Sequence, residues 1–378
     1  MTDLSQTHLV LFFTKGVSLK TWADTGLLER ELALYQRLAP HLAGVTLVTY
    51  GDGRDRAYAD HLGDLALICN DRDLPESDYV RTLIETPPVP PGQPAIFKSN
   101  QVWGADVALQ AARRHGAKAI TRCGYLFSDF MAREHGPDSL QAQQANALEQ
   151  KLFRLADGAV VTTPAMKGAL AAALGVDRAR VIPNYVLTDA FRPMPDLAPE
   201  PDLALSIGRF VDQKNPFNLV DAFRDSPYRL HMVGGGGHKI RLRRHIKKER
   251  LPITMLGNQP HLALPELLNR AAVYVQPSLF EGHPKTLLEA MACGRPVVAT
   301  DVSGISAEIT HGENGYLCQP DTASIRAALD RVFGNPDLAA RLGAAAREQV
   351  LRRYALDRVV SLELELYDEL LRSDGDPA

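Results

Sequence analysis

Apolar residues in this chain gather in short runs, separated by stretches in which they recur at helical spacing. Residues 8–13 (HLVLFF) read as a buried strand and 16–18 as a turn. Residues 25–38 read as an amphipathic helix, with Leu27, Leu28, Leu32, Tyr35 and Leu38 near helical spacing. Further strands are predicted at 45–50, 65–69, 95–98, 119–122 and 158–162, with helices between them. The run TPPVPPGQP around 87–94 is a rigid loop or turn. Strand–helix alternation of this kind implies a parallel sheet covered by helices on both faces.

The pattern breaks at Val181-Ile182-Pro183-Asn184, and FRPMPDLAPEPD at 191–202 is the most proline-dense linker candidate. It then restarts, with strands predicted at 203–207, 230–233, 253–256, 273–276 and 296–299. A chain of 378 residues is too long for one ordinary core. The expected fold is α/β, with two Rossmann-like domains facing across a cleft and ligands bound beyond the carboxyl ends of the strands. The first domain is expected at 1–187 and the second at 188–355.

Composition narrows the class. With 45% hydrophobic and 23% charged residues the chain is globular, and a net charge of −3 draws it to neither nucleic acid nor an anionic bilayer as a whole. Cys69, Cys123, Cys293 and Cys318 form no CxxC pair, which argues against a zinc site or disulfide framework and suits a reducing cytoplasm. The opening MTDLSQTHLVLFFTKG lacks a basic leader and reads as a first strand. No apolar run is long enough to span a membrane.

The densest chemistry lies in VYVQPSLFEGHPKTLLEAMACGRPVVATD, residues 273–301. A buried strand ends at Pro277, a loop carries Glu281-Gly282-His283, and Pro284 stands where a helix begins. Residues 285–292 form that helix, Gly294 ends it, and Pro296 opens the next strand. Such a junction aims backbone amides and a positive dipole end above the sheet, which suits a diphosphate. Gly282 allows close backbone approach, and the Glu281 and Glu289 carboxylates are acceptors for sugar and ribose hydroxyls. Two acids at this spacing are also ordinary in a solvated loop and helix face; the rest of the segment decides against that.

The segment resembles the donor-site signature of family-four retaining glycosyltransferases (glycosyl transferases group 1), which have the GT-B fold. Seven residues separate Glu281 from Glu289, as in that signature, and Leu287 through Asp301 follow it closely. The resemblance implies that Glu281 contacts the donor sugar, that Glu289 binds the ribose, and that the backbone of Lys285, Thr286 and Leu287 binds the diphosphate. His283-Pro284 stands where many members have Phe-Gly. The resemblance also places residues 356–378 as a helix packed back onto the first, acceptor-binding domain.

Other segments fit the same site. Arg209 and Lys214 follow the first strand of the second half, where they can neutralise a diphosphate leaving group. Their spacing is similar to the family's G-R-x-x-x-x-K-G, with Asn215 in place of the last Gly. Such cations would let the enzyme work without a metal, and the resemblance implies no metal or other cofactor. Gly16 follows the first strand, where the family has a donor-contacting glycine loop, and Ser18 lies beside it. Ile182-Pro183-Asn184 resembles a structural interdomain segment, with Tyr185 in place of Gly. No His follows the 119–122 strand where relatives have one, so Arg122 and Tyr125 are weaker candidates. Gly234 to Gly237 are either a nucleotide-approaching turn or a flexible one. The basic stretch 239–250 is either a solvated helix or a contact with an anionic membrane at its inner face. Asp71-Arg72-Asp73 matches a metal-binding DxD by chance more often than by function, and no GxGxxG supports a dehydrogenase.

The expected activity is transfer of a sugar from a UDP- or GDP-linked donor to a glycan or lipid-linked acceptor hydroxyl, with retention. The expected setting is polysaccharide or glycolipid assembly. A nucleotide-sugar epimerase or a phosphorylase on the same architecture and an inactive partner subunit are the alternatives.

Overall fold

The computed structural model describes residues 3–372 apart from 87, 91, 176 and 177. Parts of the 87–94 loop and the end of the C-terminal segment therefore lie outside the described residues. The chain divides into two compact units, one of Met1–Pro183 with Val359–Ala378 and one of Asn184–Arg358.

In the first unit β1 (His8–Phe12), β2 (Gly44–Asp52), β3 (Ala66–Asn70), β4 (Ala95–Ser99), β5 (Lys118–Cys123), β6 (Gly158–Val161) and β7 (Arg180–Val181) form one sheet. Their order is β3-β2-β1-β4-β5-β6-β7. In the second unit β8 (Glu200–Ile207), β9 (Arg229–Val233), β10 (Ile253–Gly257), β11 (Ala271–Gln276), β12 (Val297–Thr300) and β13 (Tyr316–Cys318) follow the order β10-β9-β8-β11-β12-β13. Every ladder is parallel. This is the α/β class expected, and both units are doubly wound in the Rossmann manner. The strand order reverses between β1 and β4 and again between β8 and β11, and such switch points are where open α/β sheets bind ligands.

The strands are apolar runs rather than alternating patterns because helices bury both faces. Leu9, Val10, Leu11 and Phe12 of β1 are all fully buried, as are Val273, Tyr274 and Val275 of β11. The two short strands at the sheet edges, β7 and β13, carry little apolar signal and are absent from the sequence expectation. The helix expected at 25–38 starts later, at Leu28, because Gly26 takes φ +70° and breaks it. Ahead of it, Leu19–Asp24 forms its own helix, with Ser18 as N-cap accepting from the Thr21 amide at 3.0 Å.

The proline-dense stretch 191–202 is packed rather than loose. Phe191 is fully buried in the second unit, and Asn269 bridges the Met194 amide and the Arg192 carbonyl at 2.9 Å each.

The C-terminal helix Leu356–Arg372 contributes Val359, Val360, Leu366 and Tyr367 to buried positions, and its residues from Val359 cluster with the first unit. Its anchor is Glu363, ion-paired with Lys98 of β4; the two side chains are 1% and 0% exposed. Burial pushes the Lys98 ammonium down, and the Glu363 carboxylate opposes that shift. Removing one partner of such a pair strands a buried charge. Lys98→Met is therefore expected to cost about 3–5 kcal/mol in urea unfolding, and Lys98→Met with Glu363→Leu is expected to recover most of it.

Candidate active site

Two strand exits build the site, both beside the switch point of the second sheet. β8 ends at Ile207 and continues into Gly208-Arg209-Phe210. β11 ends at Gln276 and continues into Pro277-Ser278 and the Glu281 loop. One small pocket is lined by Gly208, Arg209 and Lys214 from the first exit and by Gln276, Pro277 and Ser278 from the second.

The β8 exit is shaped by backbone packed against backbone. Phe210 N–H donates to the Gly235 carbonyl at 2.6 Å, and His238 N–H donates to the Phe210 carbonyl at 2.9 Å. A Cβ on Gly234 would lie 2.0 Å from the Gly208 carbonyl oxygen, and one on Gly236 would lie 2.8 Å from that of Phe210. The glycine run is thus the surface against which the Arg209 loop is laid. Asn215 takes φ +50°, the left-handed conformation that a Gly would adopt there. Its amide donates to the Pro320 carbonyl at 2.7 Å, which compensates for the side chain.

Lys214 and Glu281 are brought together as an ion pair, with side chains 20% and 7% exposed. The same Glu281 oxygen accepts from Gln276 Nε2 at 2.8 Å and from Ser278 Oγ at 2.6 Å. Three donors on one oxygen fix the carboxylate's orientation. Behind the loop, the Glu281 amide donates to the Ser303 carbonyl at 3.1 Å. Arg209 differs: it is exposed, and among the described residues its guanidinium makes no ion pair.

The helix Lys285–Ala292 starts after Pro284, which supplies no side-chain cap. Its first internal bond runs from the Leu288 amide to the Pro284 carbonyl at 3.3 Å, so the amides of Lys285, Thr286 and Leu287 precede the ladder. Thr286 Oγ1 reaches the Ile207 carbonyl at 3.5 Å, tying the helix start to the end of β8. Leu287 is fully buried.

His283 lies in the Glu281-Gly282 loop, but its side chain is 1% exposed and turned into the protein. Its Nδ1 accepts the Asn184 amide at 3.1 Å, which places the proton on Nε2, 3.4 Å from Glu308 Oε1. Asn184 returns a bond to the His283 carbonyl at 2.9 Å, and the Tyr354 hydroxyl also donates to Glu308. His283 thus shapes the loop through the core. Glu289 is buried, with Oε1 2.8 Å from Nε2 of His261.

Elsewhere, Gly16 lies in the first unit, exposed at the turn after β1 with φ +81°. Its turn leads into the helix Leu19–Asp24, whose Leu19 and Lys20 amides donate to buried Asp55 at 3.1 Å each. Arg122 Nη1 donates to the Asn100 carbonyl at 3.1 Å, and Tyr125 is half-exposed. Asp71 of the DxD triplet is engaged with Arg56 Nε at 2.8 Å.

His261, Gln276, Glu308 and Gly304 carry no local motif. Gln276 has a faint signal as the one polar side chain in its strand. Gly304 is legible only in space, since a Cβ there would meet the Glu281 carbonyl oxygen at 2.3 Å.

Comparison with known proteins fits this geometry. The family described as glycosyl transferases group 1 matches residues 188–349. The second unit is thus similar to the group 1 glycosyl transferases over those residues. It is 33% identical over 257 residues to an exopolysaccharide phosphotransferase of Streptomyces coelicolor, covering 65% of this chain and 26% of that one. It is 30% identical over 179 residues to N-acetyl-alpha-D-glucosaminyl L-malate synthase of Bacillus anthracis, 46% of each. The chain thus spans about a quarter to a half of these relatives. In fold it is similar to Anabaena HepE, solved with UDP and glucose, at a TM-score of 0.77 and 17% identity over 96% of this chain and 99% of that one. The fold is that of GT-B glycosyltransferases. No helix among the described residues is long and apolar enough to cross a membrane.

Gly304 offers a test of how this loop is held. Gly304 and Gly312 both have positive φ, +84° and +79°, but only Gly304 is crowded by the Glu281 loop. Gly304→Ala is expected to cost about 1–3 kcal/mol more than Gly312→Ala in urea unfolding, the overpacking contribution alone.

Proposed function

We propose that this protein is a retaining glycosyltransferase. It moves a hexosyl group from a UDP- or GDP-linked sugar to a hydroxyl of a glycan or lipid-linked acceptor, in polysaccharide or glycolipid assembly. The observation that carries the reading is the meeting of Lys214, Glu281 and an uncapped helix start at the switch point between β8 and β11.

In this reading the amides of Lys285, Thr286 and Leu287 receive the diphosphate, and exposed Arg209 closes on it with a forked donor. Lys214 supplies a second cation, already held at the pocket by Glu281. As the bond from anomeric carbon to phosphate oxygen breaks, negative charge grows on the diphosphate, and these fixed donors stabilise it. Glu281 orients the donor sugar through its hydroxyls, and Glu289 takes the ribose. Neither step requires a metal or other cofactor. Gly16 is proposed as a backbone contact to the donor from the first unit.

Donor turnover with acceptor present, and the anomeric configuration of the product by NMR, test the reaction. An epimerase would convert the donor without any acceptor, and an inactive partner subunit would not turn it over. Arg209→Ala should lower kcat/KM roughly 10²- to 10³-fold. Because Arg209 is exposed, its melting temperature should stay unchanged. Unchanged turnover would remove Arg209 from the leaving-group site.

A peripheral membrane contact is part of the proposal, on the helix Lys239–Lys248. Lys239, Arg243 and Lys247 fall on one row, and Ile240, Arg244 and Lys248 fall on the next, all exposed. The adjoining acids Asp221 and Glu249 are engaged with Arg224, and Asp221 also with His245. Lys239, Arg243, Arg244 and Lys247 have no ion pair among the described residues. Like charges four apart repel, and cations at a helix start oppose its dipole, so an anionic surface relieves both. Each cation near such a surface is worth about 1 kcal/mol. Replacing Lys239, Arg243 and Lys247 with Glu should weaken sedimentation with phosphatidylglycerol vesicles by about 100-fold or more. Equal binding by the variant would exclude this face.

A further inference from the structure

We infer that the first unit carries a platform for an uncharged pyranose ring at the ligand edge of its own sheet, centred on Trp103. This rests on the reading of the protein as a glycosyltransferase and narrows its acceptor to a saccharide that presents a neutral sugar. Trp103 lies in the exit of β4, beside the point where the strand order of the first sheet reverses. It is 50% exposed, and its ring lies 6.3 Å from that of Phe127. Phe127 opens the helix Phe127–His135, and Phe130 follows one turn on, 41% exposed. The Phe130 ring lies 6.5 Å from that of Tyr125, itself 50% exposed in the β5 exit. Aromatic rings thus line two neighbouring strand exits.

These rings are held from behind. The Lys15 amide donates to the Trp103 carbonyl at 3.2 Å. Gly104 takes φ +95°, and a Cβ there would lie 3.0 Å from the same Lys15 nitrogen. Gln101 Oε1 accepts the Gly124 amide at 2.9 Å, which ties the β4 exit to the β5 exit. The helix Phe127–His135 buries none of its residues, yet its start is fixed. Buried Glu149 accepts from the Phe127 amide and the Ser128 hydroxyl, at 2.5 Å each. Burying an acid costs stability, and this one secures a helix that contributes no buried side chain. What it secures is the placing of Phe127 and Phe130.

Charge selects the occupant. In the second unit the helix start at Lys285 has no acid in its first turn, and the pocket at that edge is lined by Arg209 and Lys214. In the first unit the two helix starts that flank the rings each carry an exposed acid, Asp106 and Asp129. Lys15 is paired with Glu76 at 2.8 Å. An acid in the first turn offsets the positive end of the helix dipole and repels a phosphate. A neutral sugar suits both features. Its face of C–H bonds lies on the negative face of an aromatic ring, and its hydroxyls can donate to carboxylates. A bilayer surface fits less well, because interfacial helices set Lys and Arg beside their aromatics. This helix instead sets Asp129 and Glu134 against Arg133 and His135.

The test uses the full chain and its two tryptophans, Trp22 and Trp103. Trp22 is 5% exposed and stacked on Phe13, so acrylamide quenches mainly Trp103. The probes are cellobiose, lactose, mannobiose and N,N′-diacetylchitobiose, with glucose 6-phosphate and phosphatidylglycerol vesicles as charged arms. At least one neutral disaccharide should shield Trp103 from acrylamide, and the charged probes should not. By calorimetry, Trp103→Ala should weaken that disaccharide about tenfold. Trp103→Phe keeps an aromatic face and should recover most of the loss. Melting temperatures should stay unchanged, because Trp103 is half-exposed. If Trp103→Ala folds poorly, Phe130→Ala decides: a loss of about threefold supports the platform, and no loss overturns it. Shielding by none of the four disaccharides, equal or stronger shielding by a charged probe, or equal affinity of wild type and Trp103→Ala overturns the inference. Shielding without any donor turnover would defeat the proposed function and leave the platform. Turnover with an acceptor that Trp103→Ala does not weaken would leave the function and defeat the platform.

Discussion

One carboxylate oxygen organises the ligand edge of the second unit. Oε1 of Glu281 accepts from the Lys214 ammonium, the Gln276 amide and the Ser278 hydroxyl at once. An acid so close to the interior is costly unless it is paired and hydrogen-bonded, and this one is both. The cation comes from the exit of β8 and the two neutral donors from the exit of β11. The oxygen therefore joins the two strands that flank the switch point, and a loop that would otherwise be free acquires a fixed shape.

Everything around that oxygen works to keep the loop in place. Gly304 yields its side-chain volume to the Glu281 carbonyl, and Ser303 takes the Glu281 amide. His283 turns inward to Asn184 and Glu308, so the loop is stitched to the start of the second unit as well as to its sheet. On the other side, Gly234 and Gly236 let the β9 exit lie directly on Gly208 and Phe210. The site is thus rigid where the acid stands. Arg209, exposed and without an ion pair among the described residues, is the element left to respond to a ligand. Preorganised donors beside one exposed cation suit the proposed reaction, in which charge grows on a leaving diphosphate.

The first unit repeats the same strand order and spends its buried charge differently. Lys98 and Glu363 meet in its core, where they fix the returning C-terminal helix rather than a ligand. A buried pair is poor evidence for stability, since apolar residues often do as well. Its value is selectivity: only one rotation of the amphipathic helix places Glu363 against Lys98.

The sequence by itself determined whatever is local. Continuous apolar runs specified the central strands, because a strand covered on both faces needs no alternation. Turn and cap residues, Ser18 and Pro284 among them, marked where helices begin. The Glu281–Glu289 spacing and the Arg209–Lys214 pair were legible because their residues sit within one strand-to-helix junction each. Tertiary structure decided what depends on distant segments. It packed the proline-rich 191–202 stretch onto the second unit, turned His283 inward, joined Lys214 to Glu281, and laid His261 against Glu289 from 28 positions away. These contacts have no periodicity and no fixed spacing. They follow from which strands lie side by side at the switch point, and parallel strands become neighbours only through crossovers that the local sequence does not encode.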